Sequence, residues 1–238
     1  MAEHILAAFD RDLEAIQARI MRMGGLVEEA LLQGARALKS RDEELADEVR
    51  RGDKAIDALE TEINEACARL LALRQPIASD LRTVLSVMKI AANLERVGDY
   101  AKNMAKRANV LVHMQEIEGA PGSIKRMAKE VHAMLSDALD AFIRRDLDLA
   151  EDVRQRDLEV DQMYNALFRA FLTFMMEDPR NISACMHLHF IAKNIERAGD
   201  HVTAIAEQVI YLVTGEMPEE SRPKGNKEVY KVIPEDQI

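Results

Sequence analysis

The sequence is poor in residues that interrupt helices and in residues that cross-link small folds. Its 238 residues include 6 Pro, 10 Gly, 2 Cys and no Trp, and aromatic residues make up 4%. Sparse proline and glycine favour long helices, and so few aromatics leave Leu, Ala, Ile, Val and Met to fill the core. Because each half of the chain has one cysteine and no C-x-x-C pair occurs, we expect Cys67 and Cys185 to be buried, reduced thiols.

Long apolar runs and excess positive charge are lacking as well. No uncharged apolar stretch reaches the ~18 residues that a membrane-spanning helix needs. The N-terminus has no basic region leading into an apolar run, so no signal peptide is expected. A formal charge of −10 disfavours nucleic acid and anionic lipid as main ligands. We therefore predict a cytoplasmic protein with no transmembrane segment and no nucleic-acid partner.

Helical periodicity is strong between the prolines. Ser40 with Glu43 predicts a capping box at the start of a second helix, and Arg145-Asp146 repeats Arg41-Asp42 at the matching turn of the second half. Apolar residues recur at three- and four-residue intervals in six proline-free segments, which we predict to be helices: 3–39, 40–73, 78–113, 123–144, 147–177 and 180–213.

One stretch of the chain occurs twice. Ile90–Tyr100 reads IAANLERVGDY and Ile191–His201 reads IAKNIERAGDH, at an offset of 196 − 95 = 101 residues. A second acidic pair, Asp53-x-x-x-Asp57, returns as Asp157-x-x-x-Asp161 at an offset of 157 − 53 = 104. Both pairs keep their order in each half, so the chain is a tandem duplication.

The duplication predicts the fold class. Two sets of three antiparallel helices joined by short turns give an all-α protein made of two tandem three-helix bundles. Gly119–Gly122 is the clearest boundary, so the first repeat is predicted to cover 1–118 and the second 119–214. Residues 215–238 lack helical periodicity and are predicted to form a flexible tail.

The repeated acids are the candidate functional residues. Acids at i and i+4 share a helix face and repel each other, so four such pairs require a counter-charge. Carboxylate oxygens are hard ligands that suit Mg²⁺, Ca²⁺, Mn²⁺ or iron. If the second and third helices of each repeat are adjacent, two metal sites result. Their candidate ligands are Asp53, Asp57, Glu95 and Asp99 in the first repeat and Asp157, Asp161, Glu196 and Asp200 in the second.

Salt bridges and other chemistries are the alternatives to metal. Arg96 and Arg197 follow the glutamates, but a residue at i+1 projects about 100° away, so neither is expected to neutralise its own acid pair. No histidine has Glu three positions before it, which disfavours a ferritin-like di-iron oxidase site. His201 is an additional ligand candidate, whereas His187 and His189 are expected to pack or lie at the surface. Phosphate-loop, dinucleotide and hydrolase motifs are absent from the sequence, so we predict no enzymatic activity.

Two copies of N-[LI]-E-R-x-G-D, each preceded by D-x-x-[IV]-D, resemble the PhoU family over about residues 3–214. The resemblance implies two three-helix bundles related by a pseudo-two-fold axis. It also implies metal clusters of iron, zinc, manganese or magnesium on one face, held by the eight carboxylates above. Repeat one has Ser79-Asp80-Leu81-Arg82, the form usual in the family, and repeat two has Asn181-Ile182-Ser183-Ala184. We therefore expect the two metal sites to differ in occupancy.

The same resemblance implies a function. PhoU-like proteins are cytoplasmic regulators of phosphate uptake and negative regulators of the phosphate-starvation (Pho) regulon. As a family member, the chain is expected to act as an adaptor between the ATPase subunit of a phosphate ABC transporter and its sensor histidine kinase, peripheral to the inner membrane, and to form a homodimer. Two other functions stay open: a metalloenzyme with carboxylate-bound multinuclear clusters, and a metal-free helical scaffold.

Overall fold

The computed structural model describes residues 2–74 and 76–218, with side chains from residue 9 onward. No strand occurs in these ranges, and a single 3-10 turn covers Pro179–Asn181. The predicted all-α class is confirmed, and each helix begins and ends within three residues of its predicted bounds. The described part of the chain forms six α-helices: α1 (Ala2–Ser40), α2 (Glu43–Arg74), α3 (Ser79–Val112), α4 (Ala120–Arg144), α5 (Leu147–Glu177) and α6 (Ile182–Thr214).

The first turn of each repeat has the same structure. Arg41 and Arg145 both adopt left-handed backbone conformations, with φ of 55° and 54°. Asp42 and Asp146 follow, and each Oδ1 accepts a hydrogen bond at 3.0 Å from the backbone N–H three residues later. Aspartate in this position satisfies one of the unpaired donors at the start of α2 or α5. The repeated Arg-Asp pair therefore marks equivalent helix starts, as predicted.

The predicted capping box at Ser40 is wrong. Ser40 is the last residue of α1, and its hydroxyl donates to the Arg36 carbonyl at 2.9 Å. Because a serine hydroxyl can bond back to the carbonyl four residues earlier, Ser40 prolongs α1 instead of starting α2. Asp42 takes the capping role.

The connection between the repeats is shorter than predicted. Gly119 is left-handed with φ of 78°, and α4 begins at Ala120 rather than near residue 123. Pro121 lies in the first turn of the helix, where its missing N–H has no helical acceptor to lose and its fixed φ suits the helix. The predicted repeat boundary at residues 118 and 119 falls in this connection between α3 and α4.

The two bundles share one apolar core. Within the first repeat α1, α2 and α3 pack on one another, and within the second α4, α5 and α6 do the same. Equivalent helices also pack across the repeats, α1 on α4 and α3 on α6, and buried residues of both halves form one continuous cluster. At Gly24 a Cβ would collide with Leu139 Cδ1, so the absence of a side chain permits the approach of α1 to α4. This is the paired arrangement that a duplication predicts.

Cys67 and Cys185 are buried and free, as expected, and burial raises the pKa of the Cys67 thiol to about 11. None of the described helices combines the length and the apolar character that crossing a bilayer requires. Most of the predicted tail, residues 219–238, lies outside the described residues.

Candidate functional site

The first carboxylate cluster lies between α2 and α3. A Cβ added at Gly98 would lie 3.0 Å from Ile56 Cδ1 and 3.8 Å from Asp53 Oδ1, so α3 packs closely against the acidic face of α2. Only glycine fits this contact without displacing a neighbour. The structure therefore brings Asp53 and Asp57 of α2 to the face of α3 that carries Glu95 and Asp99, the juxtaposition that the repeat predicts.

A lysine supplies the counter-charge in this cluster. Lys102 Nζ donates to Asp53 Oδ2 at 2.5 Å and to Asp99 Oδ1 at 3.1 Å, and so bridges α2 and α3. The hydrogen bond that Lys102 donates to Asp53 is the main cause that raises the pKa of Lys102 above its usual range. Sequence reasoning missed Lys102, although its position three residues after Asp99 on a helix is a pattern typical of an ion pair.

Asp53 remains only partly satisfied. Its side chain is 4% exposed, and its second oxygen, Oδ1, is buried without a hydrogen-bond partner in the described part of the chain. A buried carboxylate oxygen that lacks a donor carries an uncompensated loss of hydration. Asp53 therefore presents one oxygen, Oδ1, that can still accept a hydrogen bond or bind a cation.

The pKa values of two acids of the cluster, Asp57 and Glu95, are raised above their usual range. Burial, followed by repulsion from Asp53, raises the pKa of Asp57. Burial also raises the pKa of Glu95, whose negative neighbours include Asp99, Glu60 and Asp57, while Arg96 acts in the opposite direction. The acids of α2 and α3 therefore act on one another as a single cluster of negative charge.

Arg96 contacts the acid pair that flanks it, so the expectation that it would not is wrong. Its Nε lies 3.4 Å from Glu95 Oε2 and its Nη1 lies 3.8 Å from Asp99 Oδ2. The backbone direction at i+1 points away from this face, but the long side chain curls back along the helix surface. The guanidinium is 60% exposed, so each contact adds little stability.

The second cluster lies between α5 and α6 and has a different counter-charge. Lys193 Nζ donates to Glu196 Oε1 at 2.7 Å and lies 5.1 Å from the centroid of the Tyr164 ring. Glu196 Oε2 is buried and lacks a hydrogen-bond partner among the residues described. A Cβ at Gly199 would lie 3.1 Å from Asp157 Oδ1, so α5 and α6 meet as closely as α2 and α3 do.

The two clusters are therefore not equivalent in detail. Lys102 corresponds to Thr203, a buried residue whose hydroxyl donates to the Gly199 carbonyl at 3.0 Å. Lys193 corresponds to Ala92 in the first repeat. In repeat one the lysine joins carboxylates of two helices, whereas in repeat two Lys193 and its carboxylate partner Glu196 both lie on α6.

Three of the histidines lie at helix interfaces. His201 Nδ1 is 2.8 Å from Asn93 Oδ1, and this contact joins α6 to α3 between the two clusters. Burial lowers the pKa of His201. His189 packs against the ring of Phe168, and His187 lies 3.4 Å from Arg107, which agrees with the predicted packing role of both.

Arg82 of α3 lies at the C-terminal end of α6. Its guanidinium lies against Gly215, immediately after the C-terminal end of α6. A cation there is favoured by the negative end of the helix dipole. At the offset of 101 residues that relates α3 to α6, the equivalent residue in repeat two is Ser183, whose short neutral side chain cannot make such a contact.

The carboxylate clusters suit a hard cation, but not in their present side-chain arrangement. No group of three or more His, Cys, Asp or Glu side chains within residues 9–74 and 76–218 is disposed to hold a metal ion. The donor set is nevertheless oxygen-rich, and Asp53 Oδ1 and Glu196 Oε2 are buried oxygens available for a ligand contact. A metal ion would take over the neutralising role that Lys102 and Lys193 have here. The eight predicted ligands remain a prediction.

Comparison with known proteins gives a consistent result. The family described as "PhoU domain" matches residues 20–108 and again residues 124–209. A phosphate-specific transport system accessory protein PhoU homolog of Caulobacter vibrioides is 46% identical over 94% of this chain and 97% of that protein. One from Zymomonas mobilis is 48% identical over 93% of each. The crystal structure of PhoU from Pseudomonas aeruginosa has a TM-score of 0.85 and 42% identity, and it covers 87% of this chain and 100% of that one.

Proposed function

We propose that this chain, which belongs to the PhoU family, acts as an accessory regulator of phosphate uptake and of phosphate-starvation signalling. Curated relatives that match more than nine-tenths of its length carry the name of a phosphate-specific transport accessory protein. A solved structure from Streptococcus pneumoniae, 34% identical with a TM-score of 0.82, is described as a phosphate transport system regulatory protein. These names support the accessory role.

Within that role we propose a non-enzymatic adaptor. A helical surface of the chain would dock on the ATPase subunit of the phosphate ABC transporter and on the sensor histidine kinase. The protein would thus lie in the cytoplasm, at the inner membrane through these partners, and act as a homodimer. Support comes from the sequence, which has no recognised catalytic motif, and from the family, whose members are named as accessory and regulatory proteins.

The metal-binding part of the proposal rests on one observation. Asp53 Oδ1 and Glu196 Oε2 are buried carboxylate oxygens without a hydrogen-bond donor in the described structure, one in each repeat. The eight carboxylates of the two clusters would hold iron, zinc, manganese or magnesium. A bound ion would supply positive charge and coordination positions for oxygen ligands of a partner. The fold brings the acids of neighbouring helices close together, and Gly98 and Gly199 allow the helices to approach.

A metal-free scaffold is the second candidate, and the lysines favour it. Lys102 already neutralises Asp53 and Asp99, and Lys193 already pairs with Glu196. In that case the acidic faces would serve only as electrostatic docking surfaces. The metalloenzyme alternative has no specific observation in its favour.

Elemental analysis of gently purified protein tests the metal proposal. The wild type is compared with the E95A/D99A/E196A/D200A variant, and each protein is then tested for metal-dependent binding to the ATPase subunit. We expect metal and binding in the wild type and neither in the variant. A control that removes four exposed acids elsewhere, E14A/E65A/E116A/E118A, should behave as the wild type. Wild-type protein that stays metal-free after incubation with Mn²⁺, Mg²⁺ or Fe²⁺ would establish the scaffold instead.

A further inference from the structure

A cationic cavity lies beside the first carboxylate cluster, on the outer surface between α2 and α3. Its volume is about 410 Å³. Five of its seven lining residues are basic, in a chain whose formal charge is −10. Such a local concentration of one sign raises the local concentration of counter-ions. The lining residues are Asp47, Arg50, Arg51, Lys54, Lys102, Asn103 and Lys106.

Three of the five cations have no carboxylate to neutralise them. The single acid of the lining, Asp47, is occupied, because its Oδ1 accepts from Arg50 at 2.7 Å and from Asn109 at 2.9 Å. Lys102 is held by the carboxylate cluster. The remaining cations are exposed and form no salt bridge with any described residue: Arg51, Lys54 and Lys106.

The spacing of these cations suits an anion with more than one charged group. Arg51 and Lys54 are three residues apart on α2, and Lys102 and Lys106 are four apart on α3. Side chains at these spacings are about 5–6 Å apart on a helix surface. Uncompensated cations of both helices therefore line the cavity, Arg51 and Lys54 on α2 and Lys106 on α3, and a single phosphate ion would contact only part of this set. Arginine and lysine both donate charge-assisted hydrogen bonds to phosphoryl oxygens.

The second repeat lacks this cavity chemistry. The positions that correspond to Arg51, Lys54 and Lys106 hold Gln155, Leu158 and Glu207. Arg154 is the counterpart of Arg50, but it is buried and paired with Glu151 at 2.6 Å and with Glu207 at 3.5 Å. The cations of repeat one are thus not a requirement of the helical framework that the two repeats share.

We propose that this cavity binds a small anion carrying two or more phosphoryl groups, either an oligophosphate or a nucleoside polyphosphate. The phosphoryl oxygens would accept from Arg51 and Lys54 on one side and from Lys106 on the other. This binding requires neither a metal ion nor a docking partner. The acidic chain repels an anion at long range, but salt screens that repulsion. The three uncompensated cations attract the anion at contact distance, where the interaction is strongest.

Titration calorimetry on the full chain in metal-free buffer tests the proposal, with inorganic triphosphate as the probe. The R51A/K54A/K106A variant is compared with R22A/K129A/R169A, which removes three exposed cations elsewhere and produces the same net charge. We expect affinity to fall by about tenfold or more in the first variant, since the charge-assisted contacts of three cations with the phosphoryl oxygens are lost. Affinity should change by about twofold or less in the second.

Parallel titrations identify the ligand class. Adenosine triphosphate distinguishes a nucleoside polyphosphate from a free oligophosphate, and selective binding of either supports the site. Orthophosphate that binds as tightly as triphosphate would overturn the requirement for two phosphoryl groups. A glutamate decapeptide that binds more tightly than triphosphate would show a docking surface for acidic protein instead. Equal binding by both triple variants, or no binding by the wild type, would refute the site. The single variant K106Q, at an exposed position, gives the same test if the triple variant is poorly folded.

Discussion

Replacement of Lys102 by methionine tests how the first carboxylate cluster is neutralised. The Asp53 side chain is 4% exposed and the Lys102 side chain 40% exposed. Loss of one partner from a fully buried pair costs about 3–5 kcal/mol, and an exposed pair contributes about 0–1 kcal/mol. Because this pair is buried on one side only, we expect Lys102→Met to lower the free energy of unfolding by about 1–3 kcal/mol. For a chain of this size the melting temperature would fall by about 2–12 °C.

The same variant should respond more strongly to metal than the wild type. Without the lysine, a divalent cation would reach Asp53 and Asp99 without competition from the ammonium that bridges them. Saturation at about 100 times the dissociation constant would restore about 2.7 kcal/mol. Thermal unfolding followed by circular dichroism, with chelator or with Mn²⁺, measures both effects. Mn²⁺ should therefore raise the melting temperature of Lys102→Met more than that of the wild type.

Lys106→Met provides the matched control. It removes the same charge one turn further along α3, where no salt bridge is formed with the described residues. We expect its melting temperature to stay close to that of the wild type, with an unchanged response to Mn²⁺. Equal destabilisation by the two variants would refute the bridging role of Lys102. An Mn²⁺ response that is equal in Lys102→Met and the wild type would refute competition between lysine and metal.

Three further predictions concern the framework. Gly98→Ala should lower the free energy of unfolding by about 1–3 kcal/mol, because the added Cβ would press on Ile56. Gly52→Ala, at an open helix position, should raise the free energy of unfolding by about 0.5–1 kcal/mol. Urea denaturation measures both changes. Asp146→Ala should cost about 1 kcal/mol in the same assay, since the N-cap of α5 loses its acceptor. Burial lowers the pKa of His189. The contribution of the neutral imidazole to stability is therefore present above pH of about 6.5 and is lost as the pH falls through the folded-state pKa. Between about pH 7.5 and about pH 5, His189→Phe should lose less stability than the wild type.

The helices and the pairing of acids were predictable because they depend on local spacing. Sparse proline leaves long apolar periodicity intact, and a repeated motif at fixed helix positions places its acids on one face. The capping residue was mispredicted because Ser40 and Asp42 both suit a helix terminus, and only the length of α1 decides between them.

The ion-pair partners of the long basic side chains could not be predicted from the sequence. Arg96 bends back to Glu95 although its Cα–Cβ direction points elsewhere. Lys102 on α3 donates to Asp53 on α2, a residue 49 positions away in the sequence. This contact depends on how closely the two helices pack, which local spacing does not determine. Charge-pair geometry across helices follows from packing, and the packing here depends on Gly98.

The contact of α1 with α4 and of α3 with α6 also has an evolutionary consequence. An interface between equivalent elements related by a two-fold axis is self-complementary, as in a symmetric homodimer. A half-length ancestor with the same helices would therefore have paired with a second copy of itself, and gene fusion would have made that dimer permanent. Two identical subunits must carry identical side chains, but two fused halves can diverge. Lys102 in one half and Thr203 in the other show this divergence at equivalent positions of α3 and α6.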